Sequence, residues 1–175
     1  MPAMRDTAFT LDHLKTPIGL ALIASDGQGR LRILDWQEHE ARMRRLVGRQ
    51  YRGALELKSG RAPAATRQSL QAYFAGDIAA LNTIACETAG TDFQRRVWAA
   101  LRAIPMGQTL SYGAMAAKLN LSPASARAVG LANGANPISV ALPCHRLIGK
   151  DGSLTGYGDG LERKAWLLRH EGALE

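Results

Sequence analysis

The chain has 175 residues, 46% of them hydrophobic and 21% charged, with a formal net charge of +7. That length buries one core or two small ones. No apolar run approaches the ~18 residues of a membrane helix, so no membrane partner is expected. The opening residues MPAMRDTAFTLDHLKTPIG mix acidic, basic and polar side chains around no signal-peptide core, which sets the expectation of a cytoplasmic protein.

From Thr7 to Trp36 the apolar runs TAFTLDHL, IGLALIAS and LRILDW are separated by KTP and by the turn-forming SDGQG, the pattern of an antiparallel meander. A basic helix follows from about Glu38 to Tyr51, then the loop SGRAPA, then a second helix from about Ala65 to Phe74 closed by Gly76. His13 and His39 lie in this part without partners at ligand or triad spacing, and surface or capping roles suit them. Cys86, alone in NTIACETAG, reads as a linker or packing thiol. With Cys144 as the second cysteine and no CxxC pair, a zinc site built on thiolate pairs is excluded, and both cysteines are expected as free thiols.

After a boundary near residues 84–91 the texture becomes helical, dividing the chain into a first domain over 1–86 and a second over 91–175. In DFQRRVWAALRAI, residues Phe93, Val97, Trp98, Leu101 and Ile104 recur at spacings of three and four, one face of a helix. A short helix is predicted from about Ser111 to Leu119, a turn near Asn120 to Ser122, and another helix to about Asn133. So tight a turn points to a helix-turn-helix, with an ordinary helical hairpin as the alternative. The second helix is built of small residues, including Ala126 and Gly130, and its only charge is Arg127, a surface flat enough to lie in a groove. From Phe93 to Lys150 there is no acidic residue, while Arg95, Arg96, Arg102, Lys118, Arg127, Arg146 and Lys150 all fall there. That imbalance fits a polyanion, with nucleic acid foremost.

The stretch ALPCHRLIG raises three readings for Cys144: nucleophile, metal ligand or core residue. A free thiol of pKa about 8.5 is only slightly ionised at neutral pH, so a nucleophile needs a base or positive neighbours. His145 and Arg146 adjoin it. In an extended segment adjacent side chains point to opposite faces, so a bend or a bridging water must connect Cys144 with His145. The base needs an orienting acceptor in turn. The last helix, LERKAWLLRHEG, brings His170 and Glu171 to its end, and Glu171 takes that part by elimination.

NPISVALPCHRLIG, followed by TGY and then RKAWLLRHEG, resembles the O(6)-alkylguanine-DNA alkyltransferases, the methylated-DNA–protein-cysteine methyltransferases of direct-reversal repair, in their bacterial single-protein form. The resemblance is specific from about Thr91 to Gly172 and weaker before it. It implies an α+β protein, with an N-terminal RNase H-like α/β domain and a mainly helical C-terminal domain carrying a winged helix-turn-helix-like motif. It implies that Cys144 accepts the alkyl group once and irreversibly, that His145 is its base through a water, and that Glu171 orients His145. Asn136 is implied to tie the recognition helix to the active-site loop. Arg127 would replace the flipped base, Tyr112 would push the target phosphate and donate a proton to the guanine, and Tyr157 would stack beside the extruded base.

The implied partner is duplex DNA with alkylated bases. No cofactor, metal or protein partner is required, and self-association along DNA is left open. Two departures from the family pattern bear on the pocket. Asp159 in GYGDG adds a carboxylate that would restrict large alkyl groups, while Ser139, where some relatives have proline, would leave room, with alkylated thymine as a further substrate. Asp92 replaces a common proline and is expected to cap the helix that follows. The rival readings are a cysteine hydrolase using Cys144, His145 and Glu171, and a non-catalytic helix-turn-helix regulator.

Overall fold

A computed structural model describes residues 7–52 and 55–175. The chain forms two compact units, Met1–Thr91 and Asp92–Glu175. Together they make an α+β protein.

In the first unit the expected meander forms as β1 (Thr7–Thr16), β2 (Gly19–Ser25) and β3 (Leu31–Trp36). They pair antiparallel in the order β3-β2-β1. Residues Ala21, Leu22, Ile23 and Ala24 of the central β2 are all buried, as a strand covered on both faces requires. The basic helix α1 (Glu40–Tyr51) starts after a 3-10 turn over Gln37–His39. Its Met43 and Val47 join Phe9, Leu11, Leu22, Ala24 and Ile33 in one apolar cluster. Helix α2 (Ala64–Phe74) buries Thr66, Leu70 and Tyr73, and the chain turns away at Gly76, whose φ of +117° suits glycine.

The structure adds a strand that the sequence does not announce. β4 (Leu55–Ser59) pairs parallel with β1 at the sheet edge. Its sequence, LELKS, alternates apolar and charged side chains over only five residues, in the manner of protected edge strands. Cys86 lies in a short bridge at the start of β3, where Leu31 donates its N–H to Ala85 and accepts from Glu87.

The turn between β2 and β3 is locked by Asp26. Its carboxylate accepts from the backbone N–H of Gln28 at 2.9 Å and of Arg30 at 3.0 Å, and from Nε of both Arg30 and Arg32 at 2.8 Å. Burial opposes ionisation there, yet Arg32, Arg30 and Gln28 hold the carboxyl down at about 2.

The second unit begins with α3 (Asp92–Arg102), where Val97, Trp98 and Leu101 are buried at the predicted spacing. Asp92 occupies the first helical position and pairs with Arg95. Trp98 donates its indole N–H to the carbonyl of Ala132 at 2.8 Å. Helix α4 (Tyr112–Lys118) is capped by Ser111, whose hydroxyl accepts from Ala114 N–H at 3.0 Å. The turn comes at Asn120, in the left-handed region at φ 58°, and the predicted second helix is split into a 3-10 turn over Pro123–Ser125 and α5 (Ala126–Gly134). Two-residue strands β5 (Leu110–Ser111) and β6 (Leu147–Ile148) pair in parallel, and α6 (Leu161–His170) follows. Among the described residues, no helix is long and apolar enough to cross a membrane.

Replacing Asp26 with Ala leaves two backbone donors and two guanidinium groups without their acceptor, and is expected to destabilise the first unit by about 2 kcal/mol at neutral pH. The folded pKa lies below the unfolded value of 3.8, so the stabilisation is complete above about pH 4 and is lost as the pH falls towards 2. Urea unfolding of wild type and Asp26→Ala at pH 7 and near pH 2.5 checks both: the gap between them should narrow at the lower pH.

Candidate active site

Cys144 sits on a bend rather than in an extended strand. Pro143 ends the preceding loop, and Cys144–Arg146 form a 3-10 turn. With about three residues per turn, neighbouring side chains diverge by about 120° instead of pointing to opposite faces. The loop before it is held by Asn136, whose Oδ1 accepts from Ile138 N–H at 3.0 Å and whose Nδ2 donates to the Leu142 carbonyl at 2.8 Å. Between those anchors Val140, fully buried, has φ 69°, a region costly for a β-branched residue. Asn133, on α5, donates to the carbonyl of Cys144 itself at 3.2 Å. Sequence reasoning passed over Asn133, although it lies in the last turn of α5, three residues before Asn136.

The thiol is buried, and its pKa is pushed up to about 12, first by burial and then by the charge of Asp159. Asn136 and Lys164 pull the other way without prevailing. The resting group is therefore a thiol.

His145 and Glu171 meet at 2.9 Å through Nε2 and Oε2, and both side chains are fully buried. Burial works against the carboxylate, but His145 and Arg146 together hold it well below the usual carboxylate range. Burial likewise lowers the pKa of His145 from 6.5, outweighing Glu171. An ionised carboxylate only accepts, so Nε2 carries the proton, and in the neutral ring Nδ1 is left as a lone-pair acceptor. Nδ1 is buried and has no hydrogen-bond partner among the described residues.

Arg146, read from the sequence as part of a basic surface, is instead buried. Nε donates to Glu171 Oε1 at 2.8 Å, Nη2 to Oε2 at 3.1 Å, and Nη1 to the carbonyl of Ile104 at 2.7 Å. Arg96 donates to the last turn of α4 through the Leu119 carbonyl at 2.8 Å. Lys118, Arg127 and Lys150 remain exposed.

The two tyrosines are linked by a residue that sequence reasoning missed. Lys164 is fully buried. It donates to the carbonyls of Leu147 at 2.5 Å and Thr155 at 2.9 Å, and its ammonium lies 5.9 Å from the ring centroid of Tyr112 and 5.8 Å from that of Tyr157. Burial lowers its pKa to about 8. The Tyr112 hydroxyl also donates to the Thr155 carbonyl at 3.0 Å. The signal for Lys164 was its register: with Leu167, Leu168 and Glu171 it recurs at offsets of three, four and seven along the buried stripe of α6.

Ser139 and Asp159, the two departures read separately from the sequence, form one contact. The Ser139 hydroxyl donates to Asp159 Oδ2 at 2.5 Å, and both residues are buried. On α5, Arg127 is exposed, Ala126 is half-buried and Gly130 lies against the Tyr112 ring. Leu131, one turn beyond Arg127, is 70% exposed.

Residues 92–173 match the family described as 6-O-methylguanine DNA methyltransferase, DNA binding domain. A methylated-DNA–protein-cysteine methyltransferase of Salmonella typhimurium is 49% identical over 164 residues, covering 93% of this chain and 95% of that one. The crystal structure of Mycobacterium tuberculosis OGT in complex with DNA matches at TM-score 0.75 and 37% identity over 95% of this chain and 93% of that one. The O6-methylguanine-DNA methyltransferase of Pyrococcus kodakaraensis, 23% identical, shares the fold at TM-score 0.73 over 94% of this chain and 99% of that one.

Glu171→Gln keeps the shape of the side chain but leaves the buried guanidinium of Arg146 without a counter-charge. A loss of about 3 kcal/mol in the stability of the second unit is expected, measured by urea unfolding at pH 7. A change below about 1 kcal/mol would show that the carboxylate's charge contributes little to holding this unit together.

Proposed function

This chain belongs to the methylated-DNA–protein-cysteine methyltransferase family, and from that premise we propose that it repairs DNA by direct reversal, moving the alkyl group of an O(6)-alkylguanine irreversibly onto its own Cys144. The observation that carries the reading is a buried thiol next in the chain to a buried imidazole whose Nε2–H is held by Glu171 and whose Nδ1 has no hydrogen-bond partner among the described residues. The similarity to the Salmonella relative over most of the chain supports alkyl transfer over hydrolysis or simple DNA binding.

The base must leave the duplex stack before a buried sulfur can reach it, at a cost of a few kcal/mol of stacking and pairing. Arg127, exposed on α5, takes the vacated place. Tyr157 stacks beside the extruded base, and Tyr112 engages the target phosphate. The small residues Ala126 and Gly130 allow α5 to approach the DNA closely. Ser139 and Asp159 line the pocket together, so that their opposing influences on alkyl size act as one wall.

With a pKa of about 12, roughly one thiol in 10⁵ is ionised at pH 7. The proton must therefore leave as the sulfur attacks. It passes through a water to Nδ1 of His145, while Glu171 stabilises the imidazolium that forms. The buried ammonium of Lys164 favours the developing thiolate. The new S–C bond forms as the C–O(6) bond breaks. Guanine departs with the electron pair and takes a proton from Tyr112. The thioether has no route back to a thiol, so each chain acts once. Two free cysteines and acceptance of DNA as substrate suit a cytoplasmic setting.

Mixing the protein with duplex DNA carrying one O(6)-methylguanine should add one methyl mass per chain, confined to the peptide with Cys144 and absent in Cys144→Ser. Repeated turnover by one molecule would overturn the proposal.

The pH profile tests the route of the proton. His145 titrates below 6.5, Lys164 near 8 and Cys144 near 12, so between about pH 7 and 9 a histidine-mediated transfer does not rise with pH, and it declines as Lys164 loses its charge near pH 8. Direct attack by a pre-formed thiolate would instead climb about tenfold per pH unit across that range. Single-turnover rates at saturating DNA separate the two.

A further inference from the structure

The first unit carries a cationic surface that alkyl transfer in the second unit does not use. Helix α1 and its C-cap hold five arginines, Arg42, Arg44, Arg45, Arg49 and Arg52, and no carboxylate occurs between Glu40 and Glu56. Four of them, Arg42, Arg45, Arg49 and Arg52, recur at spacings of three, four and three, a single stripe along the helix. The opposite side supplies Met43 and Val47 to the core, so the stripe faces solvent. Arg42 has a carboxylate of Asp35 at 3.6 Å. Arg45, Arg49 and Arg52 are exposed, and no hydrogen bond or ion pair engages them among the described residues.

Such an arrangement costs stability in the free protein. Like charges three and four residues apart repel by about 0.2 to 0.5 kcal/mol per pair. The helix dipole offsets this for Arg49 and Arg52 near the C-terminus but not for Arg45 in the middle. A bound polyanion removes the repulsion. The stripe extends about 15 Å, long enough to meet several phosphates of a duplex that carries one charge per about 1.7 Å of axis. All its members are arginine, whose planar fork matches phosphate oxygens two at a time. A membrane surface fits less well, because the apolar side of α1 is committed to the core and has nothing to insert.

We propose that the arginine stripe of α1 is a second DNA-contacting surface, which binds backbone phosphates without regard to sequence, outside the matched DNA-binding domain of residues 92–173. It adds affinity for undamaged duplex and takes no part in the chemistry at Cys144.

The test compares the full-length protein with Arg45→Gln/Arg49→Gln/Arg52→Gln on an undamaged duplex several helical turns long, over a range of salt concentrations. Each lost phosphate contact should reduce the slope of log affinity against log salt by about 0.9, so the triple variant should be shallower by about 2 to 3. Methyl uptake by Cys144 from the free base O(6)-methylguanine should be unchanged, which shows the second unit intact. That control also keeps this test separate from the proposed repair activity, which fails on its own if the wild type takes up no methyl group. Equal slopes for wild type and variant overturn the proposal and leave the stripe a solvated face. So does wild-type binding to phosphatidylserine vesicles that is lost in the variant while the DNA slope stays the same. If the triple variant loses its fold by circular dichroism, Arg45→Gln alone, mid-helix and exposed, carries the test with an expected change of about 0.9.

Discussion

One buried carboxylate organises the second unit. Glu171, at the C-terminal end of α6, is shared between the imidazole of His145 and the guanidinium of Arg146. Through Arg146 it also reaches the carbonyl of Ile104, just beyond α3. The end of α6 and the chain just beyond α3 are thus both fixed to the turn that carries Cys144. Removing two or three charges from water is costly, and an arrangement of this kind persists only when every donor and acceptor is matched. The matching also sets the chemistry: because Glu171 stays ionised, the tautomer of His145 is fixed and its basic nitrogen is the one left over.

The loop leading to Cys144 shows a second constraint at work. Val140 adopts a backbone conformation that a β-branched residue does not choose on its own, and the side-chain bonds of Asn136 on either side of it hold the loop in place. Strain of this kind survives where surrounding contacts over-determine it. Asn133 adds a third tether, directly on the carbonyl of the reactive residue. Both asparagines belong to the end of α5 or the segment just after it. A displacement of that helix on DNA would therefore be transmitted to the sulfur through two short links.

Much of this was legible in the sequence. The spacing of Val97, Trp98 and Leu101 gave α3, and the turn near Asn120 to Ser122 separated α4 from the helix that follows, because local periodicity and turn chemistry govern those elements. Cys144, His145 and Glu171 were named from the demands of a thiol nucleophile, and the structure brings His145 and Glu171 into contact. What escaped is what local rules cannot see. β4 is too short and too charged to announce itself, and exists because β1 offers it an edge. Arg146 was taken for a surface cation and Lys164 was passed over, because such side chains are seldom buried. Each is buried against acceptors that lie far away in the chain, Ile104 and Glu171 for one, Leu147 and Thr155 for the other.

The Ser139–Asp159 contact has a consequence for how such a chain can change over time. A buried carboxylate that loses its hydroxyl donor keeps its desolvation penalty, about 1 to 3 kcal/mol or more for a charged group. Ser139→Pro alone would take that hydroxyl donor from the Asp159 carboxylate, whereas with glycine at 159 the same change would remove no hydrogen bond. The two positions, twenty residues apart, are thus coupled. An order of substitution in which residue 159 loses its charge first is open, and the reverse order passes through a destabilised intermediate. Across related sequences, aspartate at 159 should therefore be accompanied by a hydrogen-bond donor at 139.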